Sequence, residues 1–135
     1  MTISVNDDLI YLYEGKPFTG VGCEYWPDGR LRSEITYVDG MEDGWSRDWY
    51  ENGVLMSETQ YRRGCAVGAN REWQENGRLK LEERIEHGFL VESKEWNENG
   101  QLVNEYDIRN DNSNFPLLQQ ARQAEERQQA MKVEQ

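Results

Sequence analysis

The sequence predicts an all-β fold: an elongated antiparallel array of about four to five β-hairpins, closed by a C-terminal α-helix. Three observations predict it. A motif recurs with its glycines at positions 29, 53, 77 and 100, spacings of 24, 24 and 23 residues. Each recurrence carries Asp-Gly or Asn-Gly flanked by aromatic and β-branched residues, the pattern of a turn between two strands. The glycines then stop, and residues 115–133 read FPLLQQARQAEERQQAMKV, a stretch with no breaker after Pro116. The chain thus divides into a repeat domain, 1–113, and a terminal helix, 114–135.

Taken in order, residues 9–20 read as a degenerate leading unit, with Tyr13, Gly15 and Gly20 in the repeat's places. The segments YWPDGRLRSEITY (25–37), WYENGVLMSETQY (49–61), WQENGRLKLEERI (73–85) and WNENGQLVNEYDI (96–108) then align without gaps. Two residues after each glycine stands Leu31, Leu55, Leu79 or Leu102, and five after it Glu34, Glu58, Glu82 or Glu105. Eight after it stands Tyr37, Tyr61, Ile85 or Ile108, and four before it Tyr25, Trp49, Trp73 or Trp96. Between hairpins, Asp39-Gly40 with Gly44, Gly64 with Gly68, and Gly88 with Glu92 in place of a second glycine read as tight connections. Hairpins of this size bury little alone, so they must stack on their neighbours to be stable.

Two registers compete for each hairpin. A two-residue loop sets Arg47 opposite Glu58, Arg71 opposite Glu82 and Lys94 opposite Glu105, with Cys23 facing Glu34 in the first unit. A three-residue loop, a type I turn with a glycine bulge, sets the aromatic before the turn opposite the leucine after it. The second is preferred because it gathers repeated apolar positions. It places Leu55, Ser57, Thr59 and Tyr61 on one face with Trp49 and Trp45, and the glutamate column on the opposite, wetter face.

The terminal segment starts at Asn114, a good N-cap, with Pro116 in the first turn. Leu117, Leu118, Ala121 and Ala124 form a short apolar stripe. Such a helix either closes the last hairpin or docks on a partner or a second copy.

Charge and composition exclude several classes of function. The chain has 26 acidic and 15 basic residues, a formal net charge of −11, and 11% aromatic residues. A phosphate-tracking surface needs clustered Lys and Arg, so nucleic acid is not an expected partner, and neither is an anionic membrane surface. The N-terminus lacks the basic and apolar regions of a secretory signal, so no such signal is expected. Cys23 and Cys65 fall at unlike places in the repeat and read as reduced, partly buried thiols. The lone His87 lies in a loop-like EHG segment and reads as a solvated residue. With no metal-ligand spacing, phosphate loop or nucleophile elbow, neither cofactor nor metal is expected, and an enzyme is the minority reading. Residues 114–135 carry three bases and three acids, so the whole −11 lies on the repeat array.

These units resemble MORN-variant repeats of the bacterial kind, whose hallmark is similar to Y-x-E-N-G-x-L-x-x-E-x-x-Y-x-x-G-x-x-x-G. The resemblance covers about residues 13–108 and departs from the pattern at Glu92, where a glycine and one residue are missing. It implies a scaffold or binding surface without catalysis. Small bacterial chains of this kind are often classed as antitoxins or immunity proteins, which implies a cytoplasmic protein-binding role.

Positions that vary between units are the better candidates for recognition, since repeated positions serve the stack. The large non-repeated aromatics Trp26, Trp45 and Tyr50 are candidate anchors, rimmed by Glu24, Asp48, Glu72 and Glu95. The leading expectation is an antitoxin that covers the active site or substrate groove of a basic toxin, such as a nuclease. The alternatives are a scaffold that self-assembles through its sheet edge or helix, and a carboxylate enzyme acting on a polymer laid along the groove.

Overall fold

The computed structural model describes residues 3–133. The repeats build one eight-stranded antiparallel sheet whose spatial order is its sequence order. Its strands are β4 (Gly20–Tyr25), β5 (Leu31–Val38), β6 (Met41–Trp49), β7 (Leu55–Arg62), β8 (Cys65–Trp73), β9 (Leu79–Glu86), β10 (Phe89–Trp96) and β11 (Leu102–Asp107). Strands β1 (Ile3–Val5), β2 (Tyr11–Tyr13) and β3 (Lys16–Pro17) form a separate small sheet. The leading unit at 9–20 is therefore not a fifth hairpin of the array; its strands β2 and β3 pair with each other, and β2 pairs with β1. One turn of 3-10 helix (Ile108–Asn110) leads to the C-terminal helix α1 (Phe115–Val133).

Both competing registers are present, each in its own part of the hairpin. At the tip of the β6–β7 hairpin the Gly53 N–H donates to the Tyr50 carbonyl at 2.9 Å, and the Tyr50 N–H to Val54 at 2.9 Å. This three-residue loop sets Trp49 opposite Leu55. One step further along β7, Met56 is left unpaired, and the ladder resumes with Asp48 opposite Ser57 and Arg47 opposite Glu58. Arg32, Lys80 and Val103 are the corresponding extra residues of the other hairpins. A bulge of this kind reconciles an aromatic–leucine pair at the tip with charge pairs in the body.

The bulge also corrects the expected faces. Opposed residues share a face, and Trp45 stands opposite Gln60, beside the Arg47–Glu58 pair. Ser57, Thr59 and Tyr61 lie on the other face, with Asp48, Ser46 and Gly44. The glutamate column is not uniformly wet either: the Glu58 side chain is only 13% exposed, between two arginines.

The connections between hairpins are two-residue turns with left-handed backbone at Asp39-Gly40, Arg63-Gly64 and His87-Gly88. After the first two turns the strands carry two extra residues around Gly44 and Gly68. After the third, where the sequence is one residue short, Val91 alone is extra. Val91 is buried against Ile108 and the fully buried Leu118 of α1, with Phe89, Tyr106 and Phe115 around them. The shortened unit is thus the seat of the helix, and α1 caps the array.

Further contacts fix this cap. Arg122 hydrogen-bonds Glu86 in two places, and His87 Nε2 lies 3.0 Å from Glu125 Oε2, so His87 is a helix contact rather than a free loop residue. The Asn114 carbonyl accepts the first helical bond, but its side chain donates to Asp111 instead of capping. Leu117 and Ala124 of the expected stripe are exposed, since Phe115, Leu118 and Ala121 supply the packed face. At the opposite end the small sheet closes the array over the buried Tyr37, which Tyr11 and Phe18 flank.

Among the described residues the buried apolar set is Tyr37, Val91, Ile108 and Leu118, all at the two ends. The middle of the sheet is a single half-exposed layer. The whole chain's accessible area of 9566 Å² for 15.9 kDa exceeds by roughly 30% the value expected of a compact monomer. Cys23 and Cys65 are free and exposed, rather than partly buried.

Candidate functional site

The registers join the strands into rows that run across the whole sheet. On one face the row reads Glu24, Ser33, Asp48, Ser57, Glu72, Leu81, Glu95 and Asn104. The four acids chosen from the sequence therefore fall in one line, on every second strand, about 10 Å apart. Among the described residues none of them has a cationic partner within ion-pair distance; Asp48 accepts only the Ser57 hydroxyl at 3.2 Å.

The opposite face is compensated. One residue over, the row reads Cys23, Glu34, Arg47, Glu58, Arg71, Glu82, Lys94 and Glu105, alternating in sign from Glu34 onward. Arg47 reaches Glu58 at 3.2 Å, and Arg71 reaches both Glu58 and Glu82 at 3.0 Å. Cys23 stands where the other even-numbered strands carry a base. The sheet thus has one face where acids and bases alternate, ion-paired at Arg47, Glu58, Arg71 and Glu82, and one with an acidic line that no base interrupts.

Two tyrosines register the acidic face. Burial, then Tyr11, Glu42 and Glu24, push the Tyr37 phenol up to about 12. Tyr61 is also raised, by burial and then by Glu42 and Asp48. The Glu42 carboxyl, opposite Tyr37 in the ladder, is raised by its own burial. Sequence reasoning missed Glu42; its place beside the connecting turn was visible, but not its burial.

The aromatic candidates separate. Tyr50 shares an open groove of about 770 Å³ with Gln74, Glu95 and Trp96, at the turn end of the acid row. It also staples the stack, donating from Oη to the Trp73 carbonyl at 2.7 Å, as Gln74 donates to Asn97 at 3.0 Å. This non-repeated position therefore does serve the stack. Trp26, one unit earlier, cannot reach in the same way: its Nε1 is buried without a hydrogen-bond partner, and Arg32 covers its ring at 4.8 Å. A second groove, of about 690 Å³, brings Glu24 together with Tyr11, Ile35 and Tyr37. Each end of the acid row so opens into a groove. Trp45 lies on the other face under Arg47, away from this constellation.

Among the described residues no cluster of His, Cys, Asp and Glu is arranged to hold a metal ion, and no helix is long and apolar enough to cross a membrane. The MORN repeat variant family matches residues 18–39 and 42–63, the first two units. No curated protein and no solved structure matches the chain. A repeated hairpin sheet with this match is a repeat-built module of the binding or scaffold type.

Proposed function

We propose that the chain is a non-catalytic cytoplasmic binding module that neutralises a basic protein toxin, such as a nuclease, by covering its active site or substrate groove. One observation carries this reading: among the described residues Glu24, Asp48, Glu72 and Glu95 form a line without cationic partners on one face, while on the other acids alternate with bases and Arg47, Glu58, Arg71 and Glu82 are ion-paired. Like charges held in a row repel, so an uncompensated line has a cost that a cationic partner would relieve. A line of this kind concentrates negative potential, which speeds encounter with a cationic surface and penalises wrong partners. Tyr50, in the groove at one end of the row, would supply an aromatic anchor.

The test is genetic and then physical. The neighbouring reading frame is expressed alone and together with this chain. Growth arrest by that product, relieved only by co-expression and accompanied by a co-purifying complex, is the expected outcome. A harmless product, or arrest that co-expression leaves unchanged, removes the toxin reading.

The second reading, a self-assembling scaffold, is favoured by the open edges. Strands β4 and β11, six residues each, pair on one side only. Sedimentation of the full chain over a wide concentration range tests it, and a monomer throughout would sink it.

A further inference from the structure

On the face with paired charges, Trp45 and Ala69 hold the same place in successive units. Their surroundings repeat as well. Trp45 stands opposite Gln60 and Ala69 opposite Arg84, each pair shifted by one repeat. Arg47 Nε donates to Glu58 at 3.2 Å, and Arg71 Nε donates to Glu82 at 3.0 Å. In the earlier unit the Arg47 guanidinium covers the Trp45 ring, 5.0 Å from its centroid. In the later unit no ring is present, and a cavity of about 250 Å³ opens against Ala69, Arg71, Glu82, Arg84, Glu92 and Lys94.

We infer that this cavity is a binding site for an aromatic side chain, indole or phenol, presented by a polypeptide partner. The guest takes the place that Trp45 fills one unit earlier and stacks on Arg71. Three properties select it. Arg71 donates from Nε to Glu82 and from Nη1 to Glu58, which pins its plane and leaves a π-stacking face to offer. The charged lining is largely balanced, with Arg84 lying between Glu86 and Glu92 at 3.4 and 3.6 Å, so an ionic guest gains little. A ring carrying one N–H or O–H instead has carboxylates at Glu82 and Glu92 to donate to. Size decides between sources: the volume lies below the roughly 300–1,000 Å³ of small-molecule sites and suits one side chain. The site lies on the face opposite the acid row and does not depend on the toxin reading.

The experiment titrates N-acetyl-tryptophanamide into the full-length protein and follows the Ala69 methyl and Arg71 Nε–H resonances. N-acetyl-leucinamide is the non-aromatic control. Saturable shifts at these groups, with the aromatic amide binding about fivefold tighter than the control, are expected from one exposed cation–π contact. Ala69→Trp should fill the cavity from within and abolish the shifts while the protein stays folded by circular dichroism. Trp45→Ala should open a second, equivalent site and move the Arg47 Nε–H signal on titration. Absence of saturable shifts in the unmodified protein, equal binding of the leucine amide, or undiminished binding to folded Ala69→Trp would overturn the assignment.

Discussion

Arg122 grips Glu86 through two hydrogen bonds, Nε to Oε1 at 2.6 Å and Nη2 to Oε2 at 2.9 Å, between residues 36 positions apart. This pair fastens α1 to the end of β9, beside the Leu118 that fills the cap. Arg122 holds the Glu86 carboxyl below its ordinary value of 4.5, with smaller help from Arg84 and His87. A depressed carboxylate stabilises the fold above its unfolded pKa, and that contribution is lost as pH falls through the folded value. The melting temperature should therefore drop below pH 4.5, and Arg122→Gln should flatten that drop. Leu118→Ala should cost about 2–5 kcal/mol at neutral pH, measured by urea unfolding.

Gly40 and Gly64 occupy the same place in equivalent turns, with φ of +81° and +80°. Their surroundings differ. A Cβ on Gly40 would clash with Ile10 Cγ2 and meet the Tyr11 carbonyl at 2.7 Å, whereas one on Gly64 meets nothing within 4 Å. Gly40 also exchanges backbone hydrogen bonds with Phe18 and Tyr11, at 2.7 and 2.8 Å. Gly64→Ala should then cost about 1 kcal/mol, the left-handed penalty alone. Gly40→Ala should cost about 2–4 kcal/mol, because the small sheet must shift away. Equal losses in paired urea melts would contradict this account of how the small sheet is seated.

The repeat made the array legible, because identical units can be laid over one another without knowing the fold. Glu24, Asp48, Glu72 and Glu95 could be chosen as a set for the same reason, being equivalent positions on equivalent strands. What the repeat hides is anything that depends on a bulge. Met56 and its equivalents displace the ladder by one residue, which moved Trp45 to the face opposite the one expected. The ends are equally hidden, since they break the period. Tyr11 over Tyr37, and Val91 under Leu118, join segments that no spacing rule connects.

Tyr37 makes the small-sheet end sensitive to alkali. Its phenol is raised from 10.0 to about 12, first by burial and then by Tyr11, Glu42 and Glu24. A raised folded pKa means the contribution is whole below pH 10 and is lost as pH rises through about 12. Ultraviolet titration should show a phenol ionising well after the exposed tyrosines. Tyr37→Phe should lose that late phase and soften the fall of stability between the two values. A titration curve unchanged by the substitution would place the late phenol elsewhere.

Cys23 interrupts the alternating ladder opposite Glu34, where β6, β8 and β10 carry Arg47, Arg71 and Lys94. Cys23→Arg should complete the row and stabilise the chain by about 0.2–1 kcal/mol at low salt. The gain should shrink as salt screens the exposed pair. A loss of stability would mean that the first hairpin does not tolerate the longer side chain.

Two triple variants separate the acidic face from the acidic composition. Glu24→Gln, Glu72→Gln and Glu95→Gln remove three charges from the unpaired row. Glu34→Gln, Glu82→Gln and Glu105→Gln remove the same three charges from the paired face, so net charge and residue types match. A partner attracted only by the total charge would slow equally on both variants. A partner steered to the acid row should associate markedly more slowly with the first variant alone, and its salt dependence should flatten there. Stability should move the other way: the first variant relieves repulsion, while the second strips Arg71 of its Glu82 partner. Stopped-flow association with an oligolysine peptide at low and moderate salt supplies the rate, and thermal melts of the same samples supply the stability. Equal slowing of the two variants would show that the row carries no more steering than the rest of the surface.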